Sequence, residues 1–149
     1  MNIYEVQPIF NHVTHPFDLT IDAPGSKSIT NRSLMLAALA DGETLLKGTL
    51  FSDDSRHFLQ CLMDLGFDVV IDEPAHTVRV TGLGGRIPKE TAAINVGSAG
   101  TAARFLTAML GCAKGVWHLD ASEQMKKRPM AALLNTLTAL GCHIDCHEK

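Results

Sequence analysis

The pattern of apolar and polar positions divides the first half of the chain into two helices and four strands. A helical run spans residues 28–40, and a second helical run ends at Leu65. Ser52, Asp53 and Asp54 precede the second helix and are interpreted as capping residues. The β-rich runs around the helices are residues 17–23, 43–50, 67–72 and 77–81. The sequence therefore predicts the order strand, helix, strand, helix, strand, strand.

The same order begins again in the second half of the chain. The predicted elements are a strand over 92–96, a helix over 101–113, a strand over 116–121, a helix from Pro129 to Leu140 and a strand that begins near His143. Gly25 and Gly66 mark corresponding points of the first copy and are 41 residues apart. Gly97 and Gly141 mark these points in the second copy and are 44 residues apart. This repetition indicates a structural duplication.

The duplication predicts how the chain is divided into segments. A first βαβαββ unit spans residues 17–82, a linker spans 83–91, and a second unit spans 92–149 but stops before its final strand. Because a unit without its last strand leaves a sheet edge unpaired, we expect the chain to be a piece of a longer protein. Residues 1–16 then form an N-terminal strand segment that would associate with the absent part.

Two glycine loops lead into the two most apolar helices. The first loop reads Pro-Gly-Ser-Lys-Ser-Ile-Thr-Asn-Arg at 24–32, and the second reads Gly-Ser-Ala-Gly-Thr-Ala-Ala-Arg at 97–104. A helix N-terminus has unpaired N–H groups and a partial positive charge, and glycine lets a ligand approach the backbone closely. The loops therefore predict a site for more than one anionic group. The alternative is that Ser26 and Ser98 only cap helices, with the arginines in solvent.

Composition and charge narrow the class of ligand. The chain has 149 residues, 46% of them hydrophobic, and a net charge of −3, which argues against broad attraction to nucleic acid. The N-terminus lacks the pattern of a secretory signal and no apolar run has the length of a membrane span, so we expect a cytoplasmic protein. Basic residues are nevertheless concentrated in the loops and shortly after them, which indicates a small anionic ligand. Six of the 13 lysines and arginines are Lys27, Arg32, Arg104, Lys126, Lys127 and Arg128.

Residues 142–147 resemble a metal-binding cluster in their composition alone, since they read Cys-His-Ile-Asp-Cys-His. If the segment is a strand, Cys142 and Cys146 point to one face, and His143 and His147 point to the other. We therefore predict no metal site there, and disulfides are not expected in the cytoplasm.

Three motifs resemble the signatures of the 5-enolpyruvylshikimate-3-phosphate (EPSP) synthase family. They are the two glycine loops and the segment Met-Lys-Lys-Arg-Pro at 125–129, and they occur in the order found in the family. The resemblance covers essentially the whole chain. It implies an α/β (α+β) fold of tandem βαβαββ units, the inside-out barrel of the enolpyruvyl transferases, with about two of six units present here. The active site of the family lies between its two domains.

The resemblance also implies a reaction. The family transfers the enolpyruvyl group of phosphoenolpyruvate to the 5-hydroxyl of shikimate 3-phosphate, in the shikimate pathway that leads through chorismate to the aromatic amino acids. Phosphate is released, no metal or organic cofactor takes part, and the phosphoenolpyruvate pocket also binds the herbicide glyphosate. The implied partners are the two small-molecule substrates and the missing C-terminal part of the same enzyme, with no nucleic acid or membrane. Because the family's acid/base carboxylates lie in that missing part, we expect the chain alone to be inactive.

Motif by motif, the resemblance implies roles for individual residues. Lys27 would be the catalytic residue and would contact both substrates. Ser28 and Arg32 would hold the carboxylate of shikimate 3-phosphate, and Gly100 and Arg128 would line the phosphoenolpyruvate pocket. Secondary candidates are Ser98, Thr101, Arg104 and Lys126.

Two positions depart from the common family pattern. Ser98 stands where asparagine is common, and Gln124 stands where many members have an arginine, four positions before the Arg-Pro pair. The phosphoenolpyruvate role is therefore assigned to Arg128, with Lys126 as the alternative.

Three other functions are compatible with parts of the sequence. The related UDP-N-acetylglucosamine enolpyruvyl transferase shares the fold, but its first loop typically has Lys-Asn where this chain has Lys27 and Ser28. A binding-only domain for a phosphorylated metabolite would explain the loops, although the unfinished second unit argues against it. Nucleotide binding by a P-loop is disfavoured because the first loop lacks the upstream glycine at the required spacing.

Overall fold

Helices and strands alternate along most of the described part of the chain. The computed structural model describes Glu5 and residues 20–146. In chain order the elements are α1 (Lys27–Leu39), β1 (Asp41–Lys47), α2 (Asp53–Asp64), β2 (Asp68–Asp72), β3 (Thr77–Leu83), β4 (Thr91–Asn95), α3 (Gly100–Gly111), β5 (Val116–Asp120), α4 (Glu123–Lys126) and α5 (Ala131–Ala139). This mixture of helix and strand agrees with the predicted α/β class.

The first half of the chain forms an antiparallel sheet covered by α1 and α2. The strand order is β1-β3-β2, so that β3 pairs with both neighbours. Val78 and Val80 of β3 are fully buried, whereas Arg79 between them is exposed. This alternation is typical of a sheet with one face in the core and the other in solvent.

The second half of the chain contains a parallel pair of strands joined by a helix. β4 and β5 pair in parallel, and α3 forms the crossover between them. Leu34 of α1, Phe58 and Leu62 of α2 and Leu106 of α3 are all fully buried in one continuous hydrophobic core. α1, α2 and α3 contact one another, and this packing sets the relative positions of their N-termini.

The predicted strands at the two ends of the repeat are not observed. Residues 20–23 have no strand conformation, and residues 17–19 of that predicted strand lie outside the described residues. Residues 142–146 also have no strand conformation, so the strand predicted near His143 is wrong for the described residues. In the first unit, the strand at the corresponding position is β2, and β2 pairs only with β3. In the second unit, no strand corresponding to β3 follows α5 within the described residues. The predicted N-terminal strand segment over 1–16 lies outside the described residues apart from Glu5.

α1 is apolar on nearly every face, which predicts a helix buried all round, but one of its sides is exposed. Ile29 and Leu36, which are seven positions apart on that side, are 67% and 68% exposed. The opposite side contains Asn31, Leu34 and Ala38, which are completely buried. α1 therefore contributes to the core through one face only.

The described residues hold neither a metal cluster nor a membrane-spanning helix. No group of three or more histidine, cysteine, aspartate or glutamate side chains in residues 20–146 could hold a metal ion. Among the described helices, none combines the length and the apolar character that crossing a membrane requires. Cys61 is a buried core residue whose thiol donates to the Asn95 carbonyl at 3.4 Å, and burial raises the pKa of this thiol to about 12.

Asn31 is a polar residue in the core without a partner in the described part of the chain. Its side chain is completely buried, and neither the amide oxygen nor the amide nitrogen has a hydrogen bond there. Asn95 provides a contrast, because its amide oxygen accepts from the backbone N–H of Gly97 at 2.8 Å. The two asparagines should therefore contribute to stability in opposite directions.

We expect Asn31→Leu to raise the free energy of unfolding by about 1 kcal/mol or more, because burying an amide without a partner costs roughly 1–3 kcal/mol. Asn95→Leu, at an exposed position, is the contrasting variant and should lower the free energy of unfolding by about 0.5–1 kcal/mol, since the Gly97 N–H loses its acceptor. Urea unfolding of both variants measures the difference. A loss of stability in Asn31→Leu would show that the amide has a bonding partner in solution.

Candidate anion-binding site

The first glycine loop sets the start of α1. The Ser26 hydroxyl caps the helix by accepting from the backbone N–H of Ile29 at 3.4 Å, so that Lys27 occupies the first turn. Gly25 lies directly against the carbonyl oxygen of Gly48, and any side chain at this position would overlap that oxygen. Glycine is therefore required here by close backbone approach.

The first turn of α1 is bonded to the segment that precedes α2. The Thr30 hydroxyl accepts from the Leu50 N–H at 3.1 Å, and the Ser55 hydroxyl donates to the Leu50 carbonyl. Ser52 and Ser55 then cap α2 reciprocally. The Ser52 hydroxyl accepts from the Ser55 N–H at 3.3 Å, and the Ser55 hydroxyl accepts from the Ser52 N–H at 3.0 Å. The N-termini of α1 and α2 consequently lie side by side.

Asp54 does not have the capping role predicted for it. Because Ser52 and Ser55 cap α2, the carboxylates of Asp53 and Asp54 occupy the first helical turn instead. The Asp54 carboxylate lies 3.1 Å from the Lys27 ammonium nitrogen, and the two side chains are 24% and 49% exposed. Asp54 is therefore a charged partner of Lys27, although its place in the sequence is also typical of a helix cap.

The second glycine loop has a left-handed residue at its start. Gly97 has φ of 55°, and a side chain here would overlap the imidazole of His57 on α2. The N-cap residue of α3 is Ala99, and no side chain among the described residues caps this helix with a hydrogen bond. Ser98 is thus not the cap that the alternative interpretation required. Its hydroxyl instead hydrogen-bonds to the Ser122 hydroxyl at 2.7 Å.

The segment that carries Arg128 is tied to the second loop. The Ser122 N–H donates to the Gly97 carbonyl at 2.9 Å, and Ser122 caps the short helix α4. The Arg104 guanidinium donates to the Gly100 carbonyl at 3.0 Å and to the Pro129 carbonyl at 3.1 Å. Arg104 therefore links the first turn of α3 to the residue after Arg128.

The two loops and the Arg128 segment enclose one open cavity of about 370 Å³. The N-termini of α1 and α3 both contribute to its wall, which adds their partial positive charges to those of the side chains. Four of the lining residues are cationic and one is acidic. The lining residues are Lys27, Arg32, Asp54, Gly100, Thr101, Arg104, Phe105 and Arg128. This arrangement can bind an anion with two or more charged oxygens.

The cavity brings together most of the residues that the sequence singled out. Lys27, Arg32, Gly100, Thr101, Arg104 and Arg128 line it, and Ser28, Ser98 and Lys126 do not. Ser28 instead accepts a hydrogen bond at its backbone carbonyl from the Arg32 guanidinium at 2.9 Å. The Arg128 guanidinium lies beside Gly100, where a side chain on the glycine would come within 2.6 Å of its Nη1.

Lys126 is bound by two carboxylates away from the cavity. Its ammonium nitrogen lies 3.1 Å from Glu123 and 3.2 Å from Asp120. Hydrogen bonds to Glu123 and Asp120 raise the pKa of Lys126. Of the two cations considered for phosphoenolpyruvate, Arg128 is therefore the one that faces the cavity.

Sequence reasoning missed two residues that line the cavity. Asp54 could have been found from the Ser52–Ser55 spacing, which assigns the cap to serine and leaves both aspartates available. Phe105 supports Arg32, whose guanidinium lies 5.7 Å from the centre of the ring. No local signal predicts this contact, because it depends on how α1 packs against α3.

Comparisons with known proteins agree with the motifs. The family model of EPSP synthase (3-phosphoshikimate 1-carboxyvinyltransferase) matches residues 13–149. A 3-phosphoshikimate 1-carboxyvinyltransferase of Trichormus variabilis is 43% identical over 133 residues, which are 89% of this chain and 31% of that protein. The corresponding protein of Opitutus terrae is 44% identical over 138 residues, which are 91% of this chain and 32% of that protein.

A solved structure shows the same fold. EPSP synthase from Acinetobacter baumannii matches with a TM-score of 0.76 and 28% sequence identity, over 87% of this chain and 29% of that chain. The chain thus spans about a third of the length of the curated relatives that it matches. The resemblance drawn from the three motifs is confirmed, and the chain belongs to the EPSP synthase family.

Proposed function

We propose that this chain provides one side of an active site that transfers the enolpyruvyl group of phosphoenolpyruvate to the 5-hydroxyl of shikimate 3-phosphate. The observation that carries the proposal is the convergence of four cations and two helix N-termini on one cavity. Both substrates are polyanions, and a site that brings them together must offset their mutual repulsion. The positive charge of the cavity lining offsets this repulsion.

Two arginines that line the cavity suit different anionic groups. Arg32 belongs to the first loop and is supported by Phe105 and by the Ser28 carbonyl, which orient its planar fork. A carboxylate such as that of shikimate 3-phosphate matches this fork in a bidentate contact. Arg128 lies beside Gly100 of the second loop, and no hydrogen bond or ion pair within the described residues engages its guanidinium. We assign Arg128 to phosphoenolpyruvate, with Lys27 in contact with both substrates.

The chemistry is an addition followed by an elimination. The 5-hydroxyl oxygen bonds to C2 of phosphoenolpyruvate and loses its proton, while the electron pair of the C2=C3 double bond takes up a proton at C3. The bond from C2 to the phosphate oxygen then breaks as a proton leaves C3, which restores the double bond and releases phosphate. The residues of this chain neutralise charge and hold the two substrates in register, which lowers the barrier by positioning and electrostatic stabilisation. We assign the acid/base carboxylates to the part of the enzyme that the longer relatives contain. We place the reaction in the cytoplasm, since such highly charged metabolites do not pass unaided through hydrocarbon.

Arg128→Ala and Arg32→Ala should weaken the two substrates in opposite orders. Arg128→Ala should weaken phosphoenolpyruvate about tenfold and shikimate 3-phosphate less, and Arg32→Ala should do the reverse, because each loses charge-assisted hydrogen bonds to one ligand. Isothermal titration of each substrate into each variant measures the two affinities. Arg79→Ala, an exposed change on the sheet, is the control and should alter neither affinity. Equal losses in both variants would contradict the assignment.

Gly100→Ala should weaken phosphoenolpyruvate while the fold is retained. The added methyl group would come within 2.6 Å of the Arg128 guanidinium and 3.2 Å of the Arg104 guanidinium, so Arg128 must move. The matched control is Gly111→Ala at the other end of α3, where the new methyl group meets nothing nearer than 3.4 Å. Titration of phosphoenolpyruvate distinguishes the two variants. Unchanged affinity in Gly100→Ala would show that Arg128 does not contact this ligand.

The 149-residue chain alone should show no measurable transfer. The cavity is open, and such reactions need groups from both sides of a closed and water-free site. Phosphate release from both substrates, assayed with and without the separately expressed remainder of a longer relative, measures the activity. Robust turnover by the chain alone would overturn the assignment of the acid/base groups to another part of the enzyme.

A further inference from the structure

Asp54 is the one acidic residue that lines the cavity within the described part of the chain. Its carboxylate faces the ammonium of Lys27 at 3.1 Å, and three arginines line the same wall. Asp54 is also the less exposed partner, at 24% against 49% for Lys27. An acid in a cavity that binds anions should lower their affinity, so its presence there requires an explanation.

The helices explain why Lys27 and Asp54 pair. Lys27 lies in the first turn of α1, where the helix dipole disfavours a cation, and α1 has no acidic residue in that turn. Asp54 lies in the first turn of α2, where the dipole favours a carboxylate. Since the N-termini of α1 and α2 are bonded through Thr30 and Leu50, the carboxylate lies beside the ammonium without a long reach. Asp54 therefore offsets the unfavourable position of Lys27 while no anion is bound.

We propose that Asp54 competes with the bound anion for Lys27, so that the site keeps a low affinity for free phosphate and releases it readily. This inference rests on the proposed function, in which inorganic phosphate is a product. A phosphoryl group carries nearly two negative charges and attracts the ammonium away from the single charge of Asp54. When phosphate leaves, the ammonium returns to the carboxylate. Asp54 thus acts through Lys27 and needs no contact with the substrates.

The first test measures the affinity of inorganic phosphate for the chain and its variants by isothermal titration. Asp54→Asn should tighten phosphate binding about three- to tenfold, because the competing charge is removed from Lys27. Asp53→Asn is the matched control, since it removes the same charge from the same helical turn at an exposed position. It should change the affinity less than twofold. Asp54→Glu keeps the competing charge and should leave the affinity low.

A double-mutant cycle separates competition from a distant charge effect. In a Lys27→Met background, the gain in phosphate affinity from Asp54→Asn should be at least twofold smaller than in the parent chain, because no ammonium remains for Asp54 to hold. Equal gains in both backgrounds would overturn the proposal. So would a gain from Asp53→Asn as large as that from Asp54→Asn, or weaker phosphate binding in Asp54→Asn. Circular dichroism and urea unfolding check that each variant is folded.

The second test observes the Lys27 ammonium directly in the phosphate-free chain by ¹⁵N NMR of lysine side chains. Asp54→Asn should shift this signal, whereas Asp53→Asn should not, and an unchanged signal in Asp54→Asn overturns the proposal. If the parent chain binds phosphate too weakly for isothermal titration to detect, Asp54→Asn should bind it tightly enough to be measured. Absence of phosphate binding in both overturns this proposal, and the titrations of phosphoenolpyruvate and shikimate 3-phosphate decide the proposed function separately. Phosphate binding without a gain in Asp54→Asn overturns this proposal alone.

Discussion

Like charges repel, and the site depends on holding four cations around one cavity against that repulsion. The force that holds them is the packing of α1, α2 and α3 into a common core, where Leu34, Phe58 and Leu106 are fully buried. Hydrogen bonds then fix the N-terminus of α1 to the segment before α2, through Thr30, and the second loop to the N-terminus of α4, through Ser122. The stability of the core is thus what keeps the cations together in the absence of a ligand.

Arg104 illustrates how a cation can serve the site without being free to bind. Its guanidinium donates to the carbonyls of Gly100 and Pro129, so two of its N–H groups are directed at the backbone. Arg128 has no such bonds in the described residues, and its guanidinium is left open to the cavity. Both arginines belong to motifs that the sequence singled out, but only the structure shows which of the two is bonded to the backbone. Ser98 is a further example, since its hydroxyl is directed to Ser122.

The sequence predicted elements whose signals are local. The glycine loops, the apolar helices behind them and the strand pair 67–72 and 77–81 all have a period or a turn signal within a few residues. It did not predict α4, which has only four residues, or the loss of strand at residues 142–146, which depends on a pairing partner elsewhere. Asp54 was misinterpreted because a carboxylate before a helix suits a cap as well as a cavity. Which role applies depends on Ser52 and Ser55.

The contact between Gly97 and His57 couples the substitutions that the two positions tolerate. A side chain at position 97 would overlap the imidazole, and the backbone there is left-handed, a conformation that asparagine tolerates better than most residues. Any replacement of Gly97 therefore requires the imidazole to turn away or His57 to be replaced by a smaller residue. Asparagine at position 97 together with a small residue at position 57 is the pair that this backbone would accept most easily. The two positions lie on separate elements, and the space that a side chain at position 97 needs is the space that the imidazole occupies.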